Sequence, residues 1–475
     1  LIIRRMSGRP PRSCARAQRG AALLASILLF AVIGVSAFLV LTRGGATGDA
    51  ERDRVTQQAL TQAKAALIGY ASAMPFTGPE RLGDFPCPDR NNDGNADPPC
   101  SSEADRLGRL PWRTLGLPDL RDGAGERLWY AVSHMFKNNP RTACSDPSDP
   151  GCLNSDATGS ISVRNAANVL VHDGRARVLA TPTEFNYSAA IAVVIAPGTT
   201  LTRQDGTEQT RSAANLNDPT HYLDVVFAED NANFVDYSDA NGFIGGPVRD
   251  ATGDLILNDR LVVITHQELM PQLERRVARE VSICLDEYAN ANNGRYPWAA
   301  DTTDTSLGKY ADKSGVRAGR VPDGMITPLP PSSPPPPDQQ LTRTASDSSG
   351  SMKEEWPGPP CNLGRNFDWW LNWKLHVFYA VADQFKPAAG TAALPCIDCL
   401  DVISPGVFTA GVRYVVVVAG RRLGSGGLLQ PRTLAGDLAN PYNFLEGEND
   451  FSALTADLFE VRPRSDNFND VTVYK

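Results

Sequence analysis

The feature that most constrains this chain is a run of 22 residues without a charge, Ala21 to Thr42 (AALLASILLFAVIGVSAFLVLT), closed by Arg43. A helix crossing a bilayer needs about 20 apolar residues. The run is therefore expected to span a membrane, whereas the apolar core of an ordinary cleaved signal is shorter and ends at a small-residue cleavage site. Six arginines and no acid lie in residues 1–20. Such a cluster holds its end of the chain in the cytoplasm and sends the remainder across. Without these arginines a formal charge of −8 becomes −14. That is a poor surface for gripping phosphates, so a nucleic-acid partner is not expected.

The basic leader ends in Arg19-Gly20 and the apolar run begins Ala21-Ala22-Leu23-Leu24. This junction resembles the class III leader of type IV prepilins and type II secretion pseudopilins. The resemblance implies cleavage by prepilin peptidase between Gly20 and Ala21, on the cytoplasmic side, with Ala21 becoming the methylated N-terminus. Two positions depart from the family pattern. Ala21 stands where Phe is usual, and Ala25 where a Glu usually pairs with the terminal amine of the subunit ahead. Absence of that Glu is typical of tip pseudopilins, which have no neighbour ahead of them.

Val55, Ala59, Ala63, Leu67 and Tyr70 recur at helical spacing after the run. They predict an amphipathic helix over about 44–75 that continues the membrane helix (21–43) as one spine. A second amphipathic pattern covers Leu269, Leu273, Val277, Val281, Leu285 and Tyr288. Motifs following each helix echo one another in order. Asp84-Phe85-Pro86-Cys87 is matched by Arg295-Tyr296-Pro297-Trp298, and Leu128-Trp129-Tyr130-Ala131-Val132 by Val377-Phe378-Tyr379-Ala380-Val381. Ile191–Ala196 is matched by Tyr414–Ala419, Tyr222-Leu223-Asp224 by Phe444-Leu445-Glu446, and Asn258-Asp259 by Asn469-Asp470. An ordered series of this kind predicts a duplicated unit. The fold class expected is α+β: a long N-terminal hydrophobic and amphipathic helix, then two related helix-plus-antiparallel-sheet heads, 76–262 and 263–475. A Pro/Ser-rich stretch about 314–360 reads as a solvated insertion in the second head.

Nine cysteines are present, of which Cys14 lies in the leader. An even eight beyond the membrane suggest disulfides in an oxidising compartment. The expected pairs are Cys87–Cys100, Cys144–Cys152, Cys284–Cys361 and Cys396–Cys399. The last is a Cys-x-x-Cys without a thioredoxin-like setting and reads as a structural loop. The five histidines are scattered without zinc-ligand spacing.

One segment carries metal chemistry. Asp89, Asn91, Asp93, Asn95 and Asp97 alternate as D-x-N-x-D-G-N-x-D, with Gly94 at the turn. Oxygens at alternate positions can converge on a hard cation. The segment resembles the calcium loops of EF-hands, dockerins and thrombospondin repeats. It departs from an EF-hand at the twelfth position, where Cys100 replaces a bidentate Glu. Calcium is the cofactor expected, in a structural role; the alternative is a solvated turn clamped by Cys87–Cys100. No nucleophile elbow, P-loop, HExxH or dinucleotide fingerprint occurs, and no catalytic role is expected. The aromatic group Phe367, Trp369, Trp370 and Trp373 is expected to pack rather than bind carbohydrate.

Together these features imply a bacterial inner-membrane, single-pass, prepilin-like subunit with its bulk in the periplasm or on a filament. Its partners would be other pilin subunits and prepilin peptidase, in a type IV pilus or a type II secretion pseudopilus. The alternative is a signal-anchored periplasmic enzyme or a carbohydrate- or partner-binding protein.

Overall fold

The computed structural model describes residues 48–475 apart from 77–80, 139–143, 145–151, 178–186, 304, 306–309, 311, 314, 324–360, 362–367, 388–391, 393, 426–427, 433 and 452–456. The processing junction Gly20–Ala21, the apolar run 21–43 and most of the Pro/Ser-rich insertion lie outside these residues. Among the described residues no helix is long and apolar enough to cross a membrane.

Helix α1 covers 48–73. Its first turns are exposed, and from Thr56 one face turns inward through Ala59, Leu60, Ala63, Leu67 and Ala71. Three alanines on that face keep the helix close to the sheet behind it. The strands of the first half that build its two main sheets are β1 (Leu107–Arg109), β2 (Trp129–Val132), β3 (Val163–Arg164), β4 (Leu170–His172), β5 (Ala190–Ala196), β6 (Phe243–Ile244) and β7 (Arg260–Thr265). Helix α2 (His266–Ala291) follows, opened by Thr265 and Glu268 in a capping box. The second half contributes β8 (Ala318–Arg320), β9 (Val377–Val381), β10 (Leu400–Ser404), β11 (Val407–Val412), β12 (Tyr414–Val418), β13 (Leu458–Glu460) and β14 (Val471–Tyr474).

The halves share one topology. The central sheet of the first runs β1-β2-β5-β7 and that of the second β8-β9-β12-β14, every pair antiparallel. Each half also has a satellite sheet, β4-β3-β6 and β11-β10-β13, in which the middle strand pairs one neighbour antiparallel and the other parallel. β5 and β12 are buried throughout. Central strands covered on both faces read as unbroken apolar runs, because alternation marks only a sheet with one wet face.

The expected architecture of a long N-terminal helix carrying two heads is overturned. The described chain is mixed α/β, with its sheet in several small pieces around the two 26-residue helices α1 and α2. α1 does not stand apart as a spine; it is packed into the body. The halves are also not separate heads. One hydrophobic core takes in Leu67 of α1, Val194 of β5, Val281 of α2 and Val416 of β12 together. α2 lies against β12 and β14 of the second half, and its Arg276 donates to the Met74 carbonyl of the first (2.7 Å). A polar strap from the first half then enters the second. Leu153 N donates to Asn372 Oδ1 (2.6 Å), and Ser155 Oγ lies 2.8 Å from the Ala419 carbonyl. Burial of apolar surface at about 25 cal/mol per Å² favours the shared core over two smaller ones.

Candidate functional sites

Five expected ligand residues, Asp89, Asn91, Asp93, Asn95 and Asp97, lie together in one tight loop above β1. Asp89 is buried, and its Oδ1 accepts from Asn92 N (2.6 Å) while its Oδ2 accepts from Gly94 N (2.6 Å). Asp97 Oδ2 accepts from the amides of Arg90 (2.7 Å) and Asn91 (3.0 Å), and Asp93 Oδ1 from Asn95 N (2.7 Å). Burial raises the Asp89 carboxyl, and the charges of Asp93 and Asp97 add to that rise. Among the described residues no three acidic, histidine or cysteine side chains converge on one metal position. The loop's oxygens are all hard donors suited to calcium, but here they fold back on the loop's own amides.

The loop is stapled by Cys87–Cys100, with Cα atoms 5.7 Å apart. The other six described cysteines pair as Cys144–Cys152, Cys284–Cys361 and Cys396–Cys399. Cys284 sits on the buried face of α2, so its bridge ties the core helix to the end of the Pro/Ser-rich insertion. Trp369, Trp370 and Trp373 are buried, with Trp369 edge-on to Phe76 at 4.5 Å between centroids; Phe367 lies outside the described residues.

Each half also holds a buried polar network. On β1, Arg109 is sandwiched between the rings of Trp129 (4.1 Å) and Tyr222 (3.9 Å) and donates to the carbonyls of Arg127 and Leu216. On β8, Arg320 lies over Phe378 (4.3 Å) and Phe444 (4.9 Å) and donates to the carbonyls of Leu375 and Leu438. Cation–π contact of this kind strengthens where water is excluded. Burial lowers Arg109 to about 10, still charged at neutrality. Gly108 and Gly319 precede the two arginines, and a Cβ at either would collide with the carbonyl of Asp89 or of Ala300.

Two carboxyl pairs complete the networks. In the first half Asp224 N donates to Asp259 Oδ2 (2.8 Å), Asn258 N to Asp224 Oδ2 (2.7 Å), Gln209 Nε2 to Asp224 Oδ1 (2.8 Å) and Asn231 Nδ2 to Asp259 Oδ2 (2.8 Å). In the second, Glu446 N donates to Asp470 Oδ2 (3.0 Å), Asn469 N to Glu446 Oε2 (3.0 Å), Gln430 Nε2 to Glu446 Oε1 (3.2 Å) and Asn449 Nδ2 to Asp470 Oδ2 (3.1 Å). Arg211 and Arg432 flank them, donating to Gly198 O (2.7 Å) and Gly420 O (3.0 Å). Burial pushes Asp224 up to about 6 and raises Asp259, Glu446 and Asp470; within each pair the like charge of one carboxyl further raises Asp259 or Asp470. In each pair burial and like charge favour the protonated form.

The strap meets the second network at Asp156. Its Oδ1 accepts from Arg432 Nη1 (3.0 Å) and its Oδ2 from Arg422 Nε (3.2 Å), with His376 Nε2 at 3.3 Å. Burial pushes this carboxyl up, but Arg432, Arg422 and His376 outweigh it and hold it well below the usual range. Beside Glu446 a cavity of about 660 Å³ opens between Gln430, Tyr442, Asn443, Asp450 and Asn467.

Pattern reading missed Arg109, Arg320, Gln209, Gln430, Asn231, Asn449 and Asp156. A signal for the arginines exists: Arg106-Leu107-Gly108-Arg109-Leu110-Pro111 repeats as Arg317-Ala318-Gly319-Arg320-Val321-Pro322. Gln209-x-Arg211 likewise recurs as Gln430-x-Arg432. Comparison with protein-family models, with curated proteins and with solved structures finds no match to this chain.

Proposed function

We propose that this protein is a membrane-anchored, prepilin-like assembly subunit without catalytic duty, which contributes to assembly or tip presentation of a type IV pilus or a type II secretion pseudopilus. Its partners are other pilin subunits, prepilin peptidase and the bacterial inner membrane, with the body in the periplasm or on the filament. The observation that carries the reading is the seat of α1. Its face from Ala59 to Ala71 is buried in the shared core. A domain merely tethered to a membrane works with a loose linker. A subunit that must transmit force from a membrane-embedded segment needs that connection fixed to its core. The arginine leader, the Gly20–Ala21 junction and Ala25 agree with a subunit of the tip type.

Co-expression with prepilin peptidase tests this. The expected result is loss of the leader, a mature chain beginning at N-methylated Ala21, and a block of that step by Gly20→Val. An unchanged intact mass in the presence of active peptidase sinks the proposal.

Calcium is the cation suited to the Asp/Asn loop. The mutual repulsion of its carboxylates favours a cation, which would replace backbone amides on Asp89 and Asp97. A second reading, an anchored carbohydrate- or partner-binding protein, is favoured by the cavity beside Glu446, where the exposed ring of Tyr442 adjoins amide and carboxyl groups. Retention on a glycan panel that is lost in Tyr442→Ala would support it over the first.

A further inference from the structure

The repeat brings two leucines to the same place and treats them differently. Leu216-x-Asp218-Pro219 of the first half matches Leu438-x-Asn440-Pro441 of the second. In each, the residue before the proline caps a short helical turn, Asp218 accepting from Thr220 N (3.0 Å) and Asn440 from Tyr442 N (3.2 Å). The leucine carbonyl then receives Nη2 of the sandwiched arginine, Arg109 (3.2 Å) or Arg320 (2.6 Å). The two side chains part company. Leu438, on a short helix Ala435–Ala439, is 5% exposed and belongs to the shared core. Leu216 follows only a 3-10 turn, Ala213–Asn215, and stands 41% exposed.

Beside the outward Leu216 lies a cavity of about 210 Å³, lined by Asn217 and Pro219 of the same segment. Its buried lining is Arg109 with Leu107, Trp129, Ala232 and Phe234, and Ala104 is among its exposed lining. Arg109 donates to two carbonyls and to no carboxylate among the described residues, and its Nε, like Trp129 Nε1, has no partner. Glu126, whose charge reaches Arg109, is paired with Arg211 (3.4 Å). Two other acids line the cavity without answering that charge. Both oxygens of Asp89 are held by loop amides, and Glu103 is exposed to water.

We propose that this cavity binds a small aliphatic carboxylate, its branched body taking the place that Leu438 fills in the second half and its carboxylate meeting Arg109. The second half supplies the template, an isobutyl group and a carbonyl oxygen set beside the equivalent arginine. Size agrees with it. A cavity of about 150 Å³ holds benzene, so this one takes roughly eight non-hydrogen atoms. The apolar walls suit a hydrocarbon body and exclude a strongly hydrated one. A guanidinium is weakly hydrated and matches a carboxylate in shape. Walled in by rings, its attraction for an anion is screened less than it would be in water. The proposal rests on the first half alone and holds whether or not the chain enters a filament.

Isothermal titration of the full chain in neutral detergent with isocaproate, which carries the leucine side chain on a carboxylate, tests it. One saturable site is expected at neutral pH, with the uncharged isocaproamide bound at least tenfold more weakly. Ala104→Trp fills the cavity from its exposed side and leaves Arg109 in place. It is expected to weaken isocaproate at least tenfold while leaving far-UV circular dichroism unchanged. Absence of saturable heat up to tens of millimolar isocaproate overturns the proposal. Equal affinity for the amide does so too, since Arg109 would then play no part. So does undiminished binding to folded Ala104→Trp, since the ligand must then sit elsewhere, the cavity beside Glu446 included.

Discussion

The two halves carry the same polar skeleton in different surroundings. Arg109 and Arg320 occupy the same place on the first strand of each central sheet, each over two rings, and each half holds a carboxyl pair clamped by one Gln and one Asn. Around this skeleton the halves diverge. Where the first has Asp89 and its oxygen-rich loop bridged to Arg109, the second has Ala300 bridged to Arg320. Asp224 is sealed, whereas Glu446 borders a cavity of about 660 Å³. The first half also sends Asp156 into the second, onto Arg422 and Arg432. The skeleton therefore serves the fold, since it is kept in both copies. The additions present in only one copy are the places to look for function.

The asymmetry is broken most severely at the strap. Asp156→Asn leaves Arg422 and Arg432 buried without their counter-charge. Removing one partner of a buried ion pair costs about 3–5 kcal/mol. A single urea transition of the full chain, moved to lower midpoint by that amount, is expected. An unchanged midpoint would show that the shared core alone joins the halves.

The carboxyl pairs give the next effect, with an unusual sign. Asp224 titrates near 6 in the folded chain, above its ordinary 3.8. Between about pH 4 and 6 the folded state keeps a proton that the unfolded chain releases, so this group's stabilisation is full at low pH and is lost as pH rises through about 6. The change is on the order of 3 kcal/mol, at about 1.4 kcal/mol per pKa unit. Asp156, held low, works in the opposite sense below pH 4, so the comparison is wild type against Asp224→Asn. The variant's stability is expected to vary less from pH 4.5 to 7, and Glu446→Gln to act with the same sign. Parallel profiles for wild type and variants would contradict a carboxyl raised by burial.

The disulfides offer a smaller contrast. Cys284–Cys361 closes 77 residues and Cys87–Cys100 closes 13. By loop-closure entropy the longer staple stabilises by about 1.5 kcal/mol more. Double Cys→Ser variants measured by chemical denaturation test this, and equal losses would point to strain or residual structure instead. Smallest is calcium. At about five times its dissociation constant a single bound ion adds about 1 kcal/mol. A rise in thermal midpoint is expected with wild type and not with Asp89→Ala, and calorimetry silent in the low millimolar range would remove calcium from the account.

Much of the repeat was legible because it rests on local patterns. Tyr130 and Tyr379 lie on equivalent strands, and their hydroxyls donate to the carbonyls of Pro86 (3.1 Å) and Pro297 (3.0 Å), residues that also echo each other. Asp259 and Asp470 could be aligned, but nothing in either peptide says that it will meet Asp224 or Glu446. Gln209 and Asn231 read as ordinary loop residues until the chain brings them together. Asp156 gave no signal, since its charged partners lie more than 200 residues away in the other half.

What the sequence determined by itself was periodic or adjacent: the apolar run, the faces of α1 and α2, the blocks of Val and Ile in β5 and β12, and the Asp/Asn loop. These follow from side-chain spacing and from bonds made within a few residues. Only the tertiary structure decided that α1 is embedded rather than free, that two copies share one core, and that like charges are buried in pairs. Those outcomes depend on which surfaces remain apolar after each half has folded on itself and on the desolvation of groups far apart in the chain, and neither is written at any single position.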